Sequence, residues 1–199
     1  MICPVVVLAA GRSARLGQPK QLVIFRGKTL LRRAVDTALG VSATDWQTPV
    51  GVVLGAYAEA CRREANVPGV RLLANPDWPE GMAASVRQAV DWAVNLDADA
   101  LILLLCDQPF VTPELLVNLI ETHQLTTRSV VASSYDDGTT GVPVLFSKTL
   151  FDELLALRGE RGAQVLLRQY PELVMTVPFP KGKIDLDTPE DLARLKSLE

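Results

Sequence analysis

The stretch that decides the fold, residues 5–20, reads Val5-Val6-Val7-Leu8-Ala9-Ala10-Gly11-Arg12-Ser13-Ala14-Arg15-Leu16-Gly17-Gln18-Pro19-Lys20. Its first four residues form a continuous apolar run, which is typical of a strand buried on both faces of a sheet. Small residues follow, and they let the backbone approach a ligand closely. The cations Arg12, Arg15 and Lys20 then suit a polyphosphate, although a solvated basic turn is the alternative. The spacing matches neither the Walker phosphate loop nor the dinucleotide-binding glycine motif.

Short apolar runs alternate with amphipathic segments along the rest of the chain, which predicts βαβ units. Strands are expected at 5–8, 50–54, 70–73, 101–105, 130–133, 142–146 and 173–177. Helices are expected at 29–39, 58–65, 82–94, 148–157 and 163–169. Two more helices are expected to begin at Thr112-Pro113-Glu114 and Thr188-Pro189-Glu190, where a capping hydroxyl precedes proline and an acid. The pattern predicts a single α/β domain over residues 1–199, with a small insertion around 135–146 that breaks the alternation.

The composition excludes several classes of protein. The chain has 199 residues, 48% of them hydrophobic, and a net charge of −3. That apolar share is too high for disorder, and the charge leaves no basic surface for general nucleic-acid binding. No apolar run reaches the length of a membrane span, and the first residues lack the basic region and cleavage site of a signal peptide. We therefore expect neither a nucleic-acid partner nor a membrane.

Cysteine and histidine usage narrows the chemistry further. The three cysteines, Cys3, Cys61 and Cys106, lack the C-x-x-C spacing, and their odd number predicts reduced thiols in a cytoplasmic protein. The only histidine is His123, so a histidine metal site or a Ser–His–Asp triad is almost excluded. Chemistry performed by carboxylates, cations, backbone amides and a bound metal ion remains.

Carboxylates stand at two further positions of interest. Asp107 directly follows the predicted strand 101–105, where a buried carboxylate needs a partner such as Mg²⁺; the alternative is a turn cap before Pro109. Asp185 and Asp187 share one face of an extended segment; the alternative is surface charge before a helix. Ligands of open α/β sheets bind beyond the carboxyl ends of the strands. The cationic loop and these acids together predict transfer at phosphorus.

Residues 8–20 follow the pattern Leu8-Ala9-Ala10-Gly11-x-Ser13-x-Arg15-x-Gly17-x-x-Lys20. This pattern resembles the signature loop of nucleotidyltransferases with the nucleotide-diphospho-sugar transferase fold. The narrower resemblance is to the molybdenum cofactor cytidylyltransferases, in the MobA-like NTP transferase family that also holds the cofactor guanylyltransferases. Five more segments carry it: Asn75-Pro76-x-Trp78-x-x-Gly81-Met82, Ser85-x-Arg87, Asp107-Gln108-Pro109, Gly141-Val142-Pro143-x-x-Phe146 and Asp185-Leu186-Asp187-Thr188-Pro189-Glu190-Asp191-Leu192. The implied fold is a three-layer α/β/α, Rossmann-like domain with a mostly parallel, mixed sheet.

The resemblance also implies an activity and a set of site residues. The implied enzyme is magnesium-dependent, moves CMP from CTP onto the phosphate of the molybdenum (molybdopterin) cofactor, and releases pyrophosphate. Catalysis would fall to Arg15, Lys20 and Asp107. The Mg²⁺ would bind Asp107 together with Asp187 or its neighbour Asp185. The implied nucleotide-binding residues are Leu8, Ala9, Ala10, Gly11, Arg12, Arg15, Lys20, Asn75, Gly81, Ser85 and Arg87.

Several alternatives stay open at this point. The Ala9-Ala10 pair is similar to cytidine-using members, whereas guanine-using members usually carry a second glycine there. Ala83-Ala84 stand where relatives often have serines, and Gln164 where they often have arginine, on the side expected to face the acceptor. The alternatives to a cytidylyltransferase are a guanylyltransferase, another NTP transferase with a different phosphate-monoester acceptor, and a non-catalytic protein that binds and delivers the pterin cofactor. A transient contact with a molybdoenzyme or its chaperone is a further expected interaction.

Single residues carry alternatives of their own. For Arg87 the alternative to a phosphate contact is a surface salt bridge. For Asn75 the alternative to a ribose contact is the shaping of the turn before Pro76. Gly81 is expected to leave the amides of the following helix open as an anion site.

Overall fold

A seven-stranded mixed sheet with helices on both faces forms the protein, as seen in a computed structural model that describes residues 1–41 and 45–198. The strands are β1 (Val5–Ala9), β2 (Ile24–Phe25), β3 (Lys28–Thr29), β4 (Val50–Leu54), β5 (Val70–Ala74), β6 (Ala100–Leu105), β7 (Val130–Ser134), β8 (Thr140–Ser147) and β9 (Val174–Pro178). The helices are α1 (Leu30–Leu39), α2 (Ala58–Ala65), α3 (Met82–Asn95), α4 (Pro113–Thr126), α5 (Phe151–Leu155), α6 (Gln164–Gln169) and α7 (Pro189–Lys196).

The order of strands in the large sheet is β5-β4-β1-β6-β8-β7-β9. Strand β1 lies in the middle and pairs in parallel with β4 and β6, and β4 pairs in parallel with β5. Strand β8 is antiparallel to both β6 and β7, which makes the sheet mixed. This strand contains the predicted break in the βαβ alternation. The expected fold class, a three-layer α/β/α domain with a mostly parallel, mixed sheet, is confirmed.

Both faces of the central strands are buried. Val5 and Val7 belong to the hydrophobic cluster on one face, and Val6 and Leu8 to the cluster on the other. The continuous apolar run at the start of the chain is explained by this two-sided burial, since an alternating pattern would leave polar residues in one core. None of the described helices is long and apolar enough to cross a membrane.

The three cysteines are buried and free. Burial, together with the nearby charge of Glu64, raises the pKa of the Cys61 thiol to about 11. Burial also raises the pKa of Cys3 and of Cys106. All three thiols are therefore protonated and unreactive at neutral pH.

The predicted helix starts are confirmed by their caps. The hydroxyl of Thr29 accepts from the Arg32 backbone N–H, and the hydroxyl of Thr112 accepts from the Leu115 N–H. Thr188 forms a full capping box with Asp191 at the start of α7. The predicted helix over 148–157 is instead a 3₁₀ turn at Lys148–Leu150 followed by α5, because Leu150 (φ −109°, ψ 9°) departs from α-helical geometry.

The side chain of Gln21 holds the backbone at the end of β1 in place. Gln21 itself lies in a 3₁₀ turn at Lys20–Leu22. This side chain is 1% exposed. Its amide Nε2 donates to the carbonyl oxygens of Ala9 (3.0 Å) and Gly11 (2.7 Å). The intervening carbonyl of Ala10 accepts from the Ala56 N–H at 3.0 Å. Three successive carbonyls are thus occupied by protein donors, which holds this part of the loop rigidly.

Ser13 closes the rest of the loop. Its backbone is left-handed (φ 52°), its carbonyl accepts from the N–H groups of Leu16 and Gly17, and its hydroxyl accepts from the Lys20 N–H at 3.1 Å. A left-handed turn is unusual outside glycine and costs conformational energy. The loop therefore depends on the hydrogen bonds made by the Ser13 hydroxyl and by Gln21.

We expect Gln21→Ala to lower the free energy of unfolding by about 1–3 kcal/mol, because the buried carbonyl of Ala9 and the partly buried carbonyl of Gly11 lose their donor. Urea unfolding followed by circular dichroism measures this. Gln18→Ala is the matched control, since Gln18 is an exposed residue of the same loop, and it should change stability by less than about 0.5 kcal/mol. Equal unfolding midpoints for the two variants would contradict the role assigned to Gln21.

Candidate active site

A cleft of about 610 Å³ opens at the carboxyl ends of β1 and β6. Leu8 in β1 pairs with Leu105 in β6, so the two chains leave the sheet side by side. The cleft is lined by three groups of residues. The first comes from the end of β1 and the loop after it, the second from the turn before α3 and the first residues of α3, and the third from the end of β6, Glu160 and the segment before α7. They are Leu8, Ala9, Ala10, Gly11, Arg12, Ser13, Ala14, Arg15, Lys20 and Gln21; Trp78, Pro79, Gly81, Met82 and Ser85; and Leu105, Cys106, Asp107, Glu160, Asp185 and Asp187.

One ammonium group joins the predicted cationic loop to both predicted acidic segments. Lys20 Nζ lies 2.5 Å from Asp107 Oδ2 and 2.8 Å from Asp187 Oδ1. Arg15 donates to the second oxygen of Asp187 at 2.7 Å, from a largely exposed side chain. Asp107 and Asp187 are 87 and 167 residues from Lys20 along the chain. The sequence predicted that these segments meet, and the structure brings them together.

The charges of this network determine its protonation. Burial alone would favour the neutral amine of Lys20, but the charge of Asp107 and the hydrogen bonds to Asp107 and Asp187 raise its pKa above the ordinary value. Burial, with the nearby charges of Asp107 and Asp187, raises the pKa of Asp185 above its ordinary range. Lys20 is therefore a cation at neutral pH, and Asp185 lies within the electrostatic reach of both other acids.

The acids of the cleft fit a hard divalent cation. The side chain of Asp107 is 5% exposed, and its Oδ1 is buried without a hydrogen-bond partner among the described residues. Within residues 1–41 and 45–198, no cluster of three Asp, Glu, His or Cys side chains is arranged to hold a metal by itself. Asp107 and Asp187 thus offer two carboxylates, the number that Mg²⁺ combines with substrate phosphate oxygens.

Gly81 and Ser85 line the cleft together with the cationic loop. Gly81 has a φ of 119°, and a Cβ atom there would lie 2.7 Å from the Gly159 carbonyl oxygen, so glycine is required. The Ser85 hydroxyl accepts from the buried amide of Asn75 at 3.1 Å. Asn75 lies behind Ser85 and outside the cleft lining, where it positions Ser85.

Arg87 also lies outside the cleft lining. Its guanidinium donates to both oxygens of Glu80, at 3.0 and 2.5 Å, and to the Leu157 carbonyl at 2.8 Å. The structure therefore places Arg87 in a salt bridge, which was the alternative to a phosphate contact. The expected open anion site at the start of α3 is partly occupied, since the Ala83 N–H donates to the Gly159 carbonyl.

A second cavity of about 460 Å³ adjoins the cleft and shares Leu105, Asp107 and Asp185 with it. Its cations are Arg168 and Lys183, and Lys183 forms a close ion pair with Asp137. Gln164 lines this cavity.

Ala83 and Ala84 lie elsewhere than expected. They are 0% and 2% exposed and line neither cavity. Ala83 and Ala84 are therefore core residues and form no part of the surface of either cavity.

Sequence reasoning missed two residues of the site. Gln21 carries no motif signal, because its role depends on carbonyls that reach it only after folding. Glu160 received no role from the sequence, although it lines the cleft. The sequence does contain one signal for Glu160, because this acid lies between the glycines at 159 and 162. In the structure, the segment packs against the start of α3.

Comparison with known proteins gives a consistent family. Residues 5–174 match the MobA-like NTP transferase domain. Nicotine blue oxidoreductase of Paenarthrobacter nicotinovorans is 34% identical, covering 96% of this chain and 94% of that protein. Molybdenum cofactor guanylyltransferase of Rhodobacter capsulatus is 28% identical, covering 95% and 92%. Molybdenum cofactor cytidylyltransferase of Escherichia coli (strain K12) is 23% identical, covering 96% and 94%.

Solved structures agree with this assignment. The structure of Rv0371c from Mycobacterium tuberculosis H37Rv is similar with a TM-score of 0.82 at 34% identity, covering 98% of this chain and 97% of that one. A manganese complex of the same protein has a TM-score of 0.74 at 31% identity, covering 97% and 96%. The chain belongs to the MobA-like NTP transferase family of nucleotidyltransferases.

Proposed function

We propose that this enzyme moves CMP from CTP onto the phosphate of the molybdenum (molybdopterin) cofactor, with Mg²⁺, and releases pyrophosphate. The observation that carries the proposal is the Lys20 ammonium, 2.5 Å from Asp107 and 2.8 Å from Asp187. It joins a phosphate-binding cation to a pair of carboxylates in one cleft, and transfer at phosphorus needs these parts. The acceptor is supported by the two molybdenum cofactor transferases among the relatives. A divalent metal is supported by the manganese complex of Rv0371C.

The mechanism follows from the charges of the cleft. When bound to Asp107 and Asp187, a divalent cation would neutralise charge on the reacting phosphates. Lys20 is charged at neutral pH, and together with Arg15 it would bind the triphosphate and stabilise the leaving pyrophosphate. The acceptor phosphate oxygen would attack the α-phosphorus in line. A phosphate monoester is already ionised at neutral pH, so no side chain of the enzyme needs to act as a general base.

The choice of CTP rests on the resemblance of the Ala9-Ala10 pair to cytidine-using members. The two residues are only 2% and 3% exposed, and their side chains belong to the clusters on opposite faces of the sheet. They therefore offer little side-chain bulk to a base, and we expect the backbone amides of residues 8–11 to read it.

The adjoining cavity is the proposed acceptor site, because it shares Asp107 with the cleft and carries the cations Arg168 and Lys183. The anionic phosphate of the acceptor would enter from this side. We also propose a single domain over the whole chain and a cytoplasmic location, the latter supported by the three buried, free thiols.

Lys20→Ala should lower the rate of pyrophosphate release by about 10²–10³, because it removes one preorganised charge from the reacting phosphates. Asp107→Ala should lower it further, since it removes a metal ligand that no other side chain replaces. The rate is measured with CTP, Mg²⁺ and molybdenum cofactor. Lys28→Ala is the control, since this lysine pairs with Asp36 outside the cleft. Normal turnover by Asp107→Ala with Mg²⁺ would refute the metal assignment.

A screen of single triphosphates tests the substrate choice. With molybdenum cofactor and Mg²⁺, pyrophosphate should form fastest from CTP. Faster release from GTP would make the protein a guanylyltransferase, and release only with other phosphate monoesters would identify a different acceptor. No release from any triphosphate, with the pterin cofactor bound, would favour a delivery protein.

The 34% identical nicotine blue oxidoreductase favours reduction as the second candidate function. Against it, residues 11–17 read Gly11-Arg12-Ser13-Ala14-Arg15-Leu16-Gly17 and lack the glycine spacing of dinucleotide-binding loops. Oxidation of NADH or NADPH by the same preparation distinguishes the two functions, because transfer of CMP consumes neither.

A further inference from the structure

Glu160 is an exposed acid in the lining of a cleft that also contains the cations Arg12, Arg15 and Lys20. Its side chain lines the cleft together with Gly81 and Ser85. Its carboxyl carbon lies close to Gly81, since a Cβ atom on Gly81 would be 2.9 Å from Glu160 Cδ. In the part of the chain that the structure describes, the Glu160 carboxylate has no hydrogen bond or ion pair. The nearby guanidinium groups of Arg87 and Arg158 are bonded elsewhere.

The segment that carries Glu160 is held firmly against the start of α3. The Gly159 N–H donates to Glu80 Oε1 at 3.0 Å, and the Gly159 carbonyl accepts from the Ala83 N–H at 3.0 Å. Arg87 bonds Glu80 through two nitrogens and also donates to the Leu157 carbonyl. These contacts bind the backbone on the N-terminal side of Glu160 to residues 80–87. We call this set of contacts the Glu80–Arg87 clasp.

The hydrogen bonds of the clasp stabilise the ionised form of Glu80. Its two bonds from Arg87 and one from Gly159 lower the pKa of Glu80 to about 2. Glu80 therefore stays ionised through the physiological range of pH. The hydrogen bonds from Arg87 and Gly159 to the Glu80 carboxylate are therefore not lost by protonation in that range.

We propose that Glu160 is a substrate-contacting residue that accepts a hydrogen bond from the nucleoside part of the triphosphate, and that the Glu80–Arg87 clasp positions it. The proposal rests on the proposed nucleotidyl transfer and adds a residue to it. Glu80 and Arg87 act through Glu160 and do not touch the substrate. The role first considered for Arg87, a phosphate contact, is replaced by this positioning role.

The charge of Glu160 selects the kind of group it can meet. A carboxylate repels phosphate oxygens, so the triphosphate must lie toward Arg15 and Lys20, away from Glu160. The part of the ligand that reaches Glu160 must then carry N–H or O–H donors. A nucleoside offers two such groups, the ribose hydroxyls and the exocyclic amine of a base such as cytosine. Uracil presents a carbonyl oxygen in place of that amine and would be disfavoured beside Glu160.

Binding measurements without acceptor test the proposal. In isothermal titration calorimetry, Glu160→Gln should weaken CTP binding about 10-fold, because a charged acceptor is replaced by a neutral amide oxygen. Binding of inorganic tripolyphosphate, which has no nucleoside, should not change. Glu121→Gln is the matched control, since Glu121 is exposed on α4, and it should bind both ligands as the unmodified protein does.

Two further ligands identify the donor. If Glu160→Gln removes a preference for CTP over dCTP, the ribose 2′-hydroxyl is the partner. If it removes a preference for CTP over UTP, the base amine is the partner. Unchanged CTP binding by Glu160→Gln would overturn the proposal, as would equal losses for CTP and tripolyphosphate. Failure of the unmodified protein to bind any triphosphate would instead refute the proposed function.

The clasp is tested by its coupling to Glu160. Arg87→Ala should weaken CTP binding, Arg87→Lys should weaken it less, and both should leave tripolyphosphate binding unchanged. In a double-mutant cycle, Arg87→Ala should add little loss in the Glu160→Gln background, since both changes remove the same contact. Full additivity, with equal losses for tripolyphosphate, would show that Arg87 only supports the fold and would overturn its positioning role.

Discussion

The Lys20 ammonium is the contact on which the rest of the site depends. Without it, Asp107 and Asp187 would be two like charges held close together, one of them buried, and such an arrangement is costly. The ammonium makes their approach favourable and connects them to the loop after β1. An incoming metal ion would supply the same counter-charge. It would release Lys20 for the phosphates that arrive with it, so metal and nucleotide are expected to favour each other's binding.

The register of the sheet decides which residues can take part in this contact. Strand β1 is flanked by β4 and β6, and the pairing of Leu8 with Leu105 brings the loop after β1 next to Asp107. The second acid, Asp187, comes from the segment between β9 and α7, near the other end of the described chain. The site is therefore a product of long-range strand pairing rather than of any local motif.

The sequence predicted the elements whose signal is local. The bounds of β4 and α2 were predicted exactly as observed, because continuous apolar runs and helical spacing mark them. The β2–β3 hairpin was missed, since strands of two residues show no alternation. The meeting of the acids with Lys20 was predicted from the rule on strand ends. Its geometry was not predictable, because it depends on three segments that only the folded sheet brings together.

The roles of single polar side chains were the hardest to predict. Gln21 looks ordinary in the sequence, yet it determines the course of the backbone after β1. Arg87 has the residue type and spacing of a phosphate ligand. In the folded protein, however, it pairs with Glu80, which is seven residues away in the chain. In each case the outcome depends on which partner the folded chain places within reach, and residue type alone does not decide that.

The three hydrogen-bonded carbonyls at the end of β1 influence which ligand groups this part of the cleft can bind. The oxygens of Ala9, Ala10 and Gly11 already accept bonds from Gln21 and Ala56, so each has only one lone pair left for a ligand. The donors of this part of the cleft are the side chains of Arg12, Arg15 and Lys20. This part of the cleft therefore favours ligand groups that accept hydrogen bonds. The Glu160 carboxylate in the same cleft favours groups that donate them, such as hydroxyls and amines.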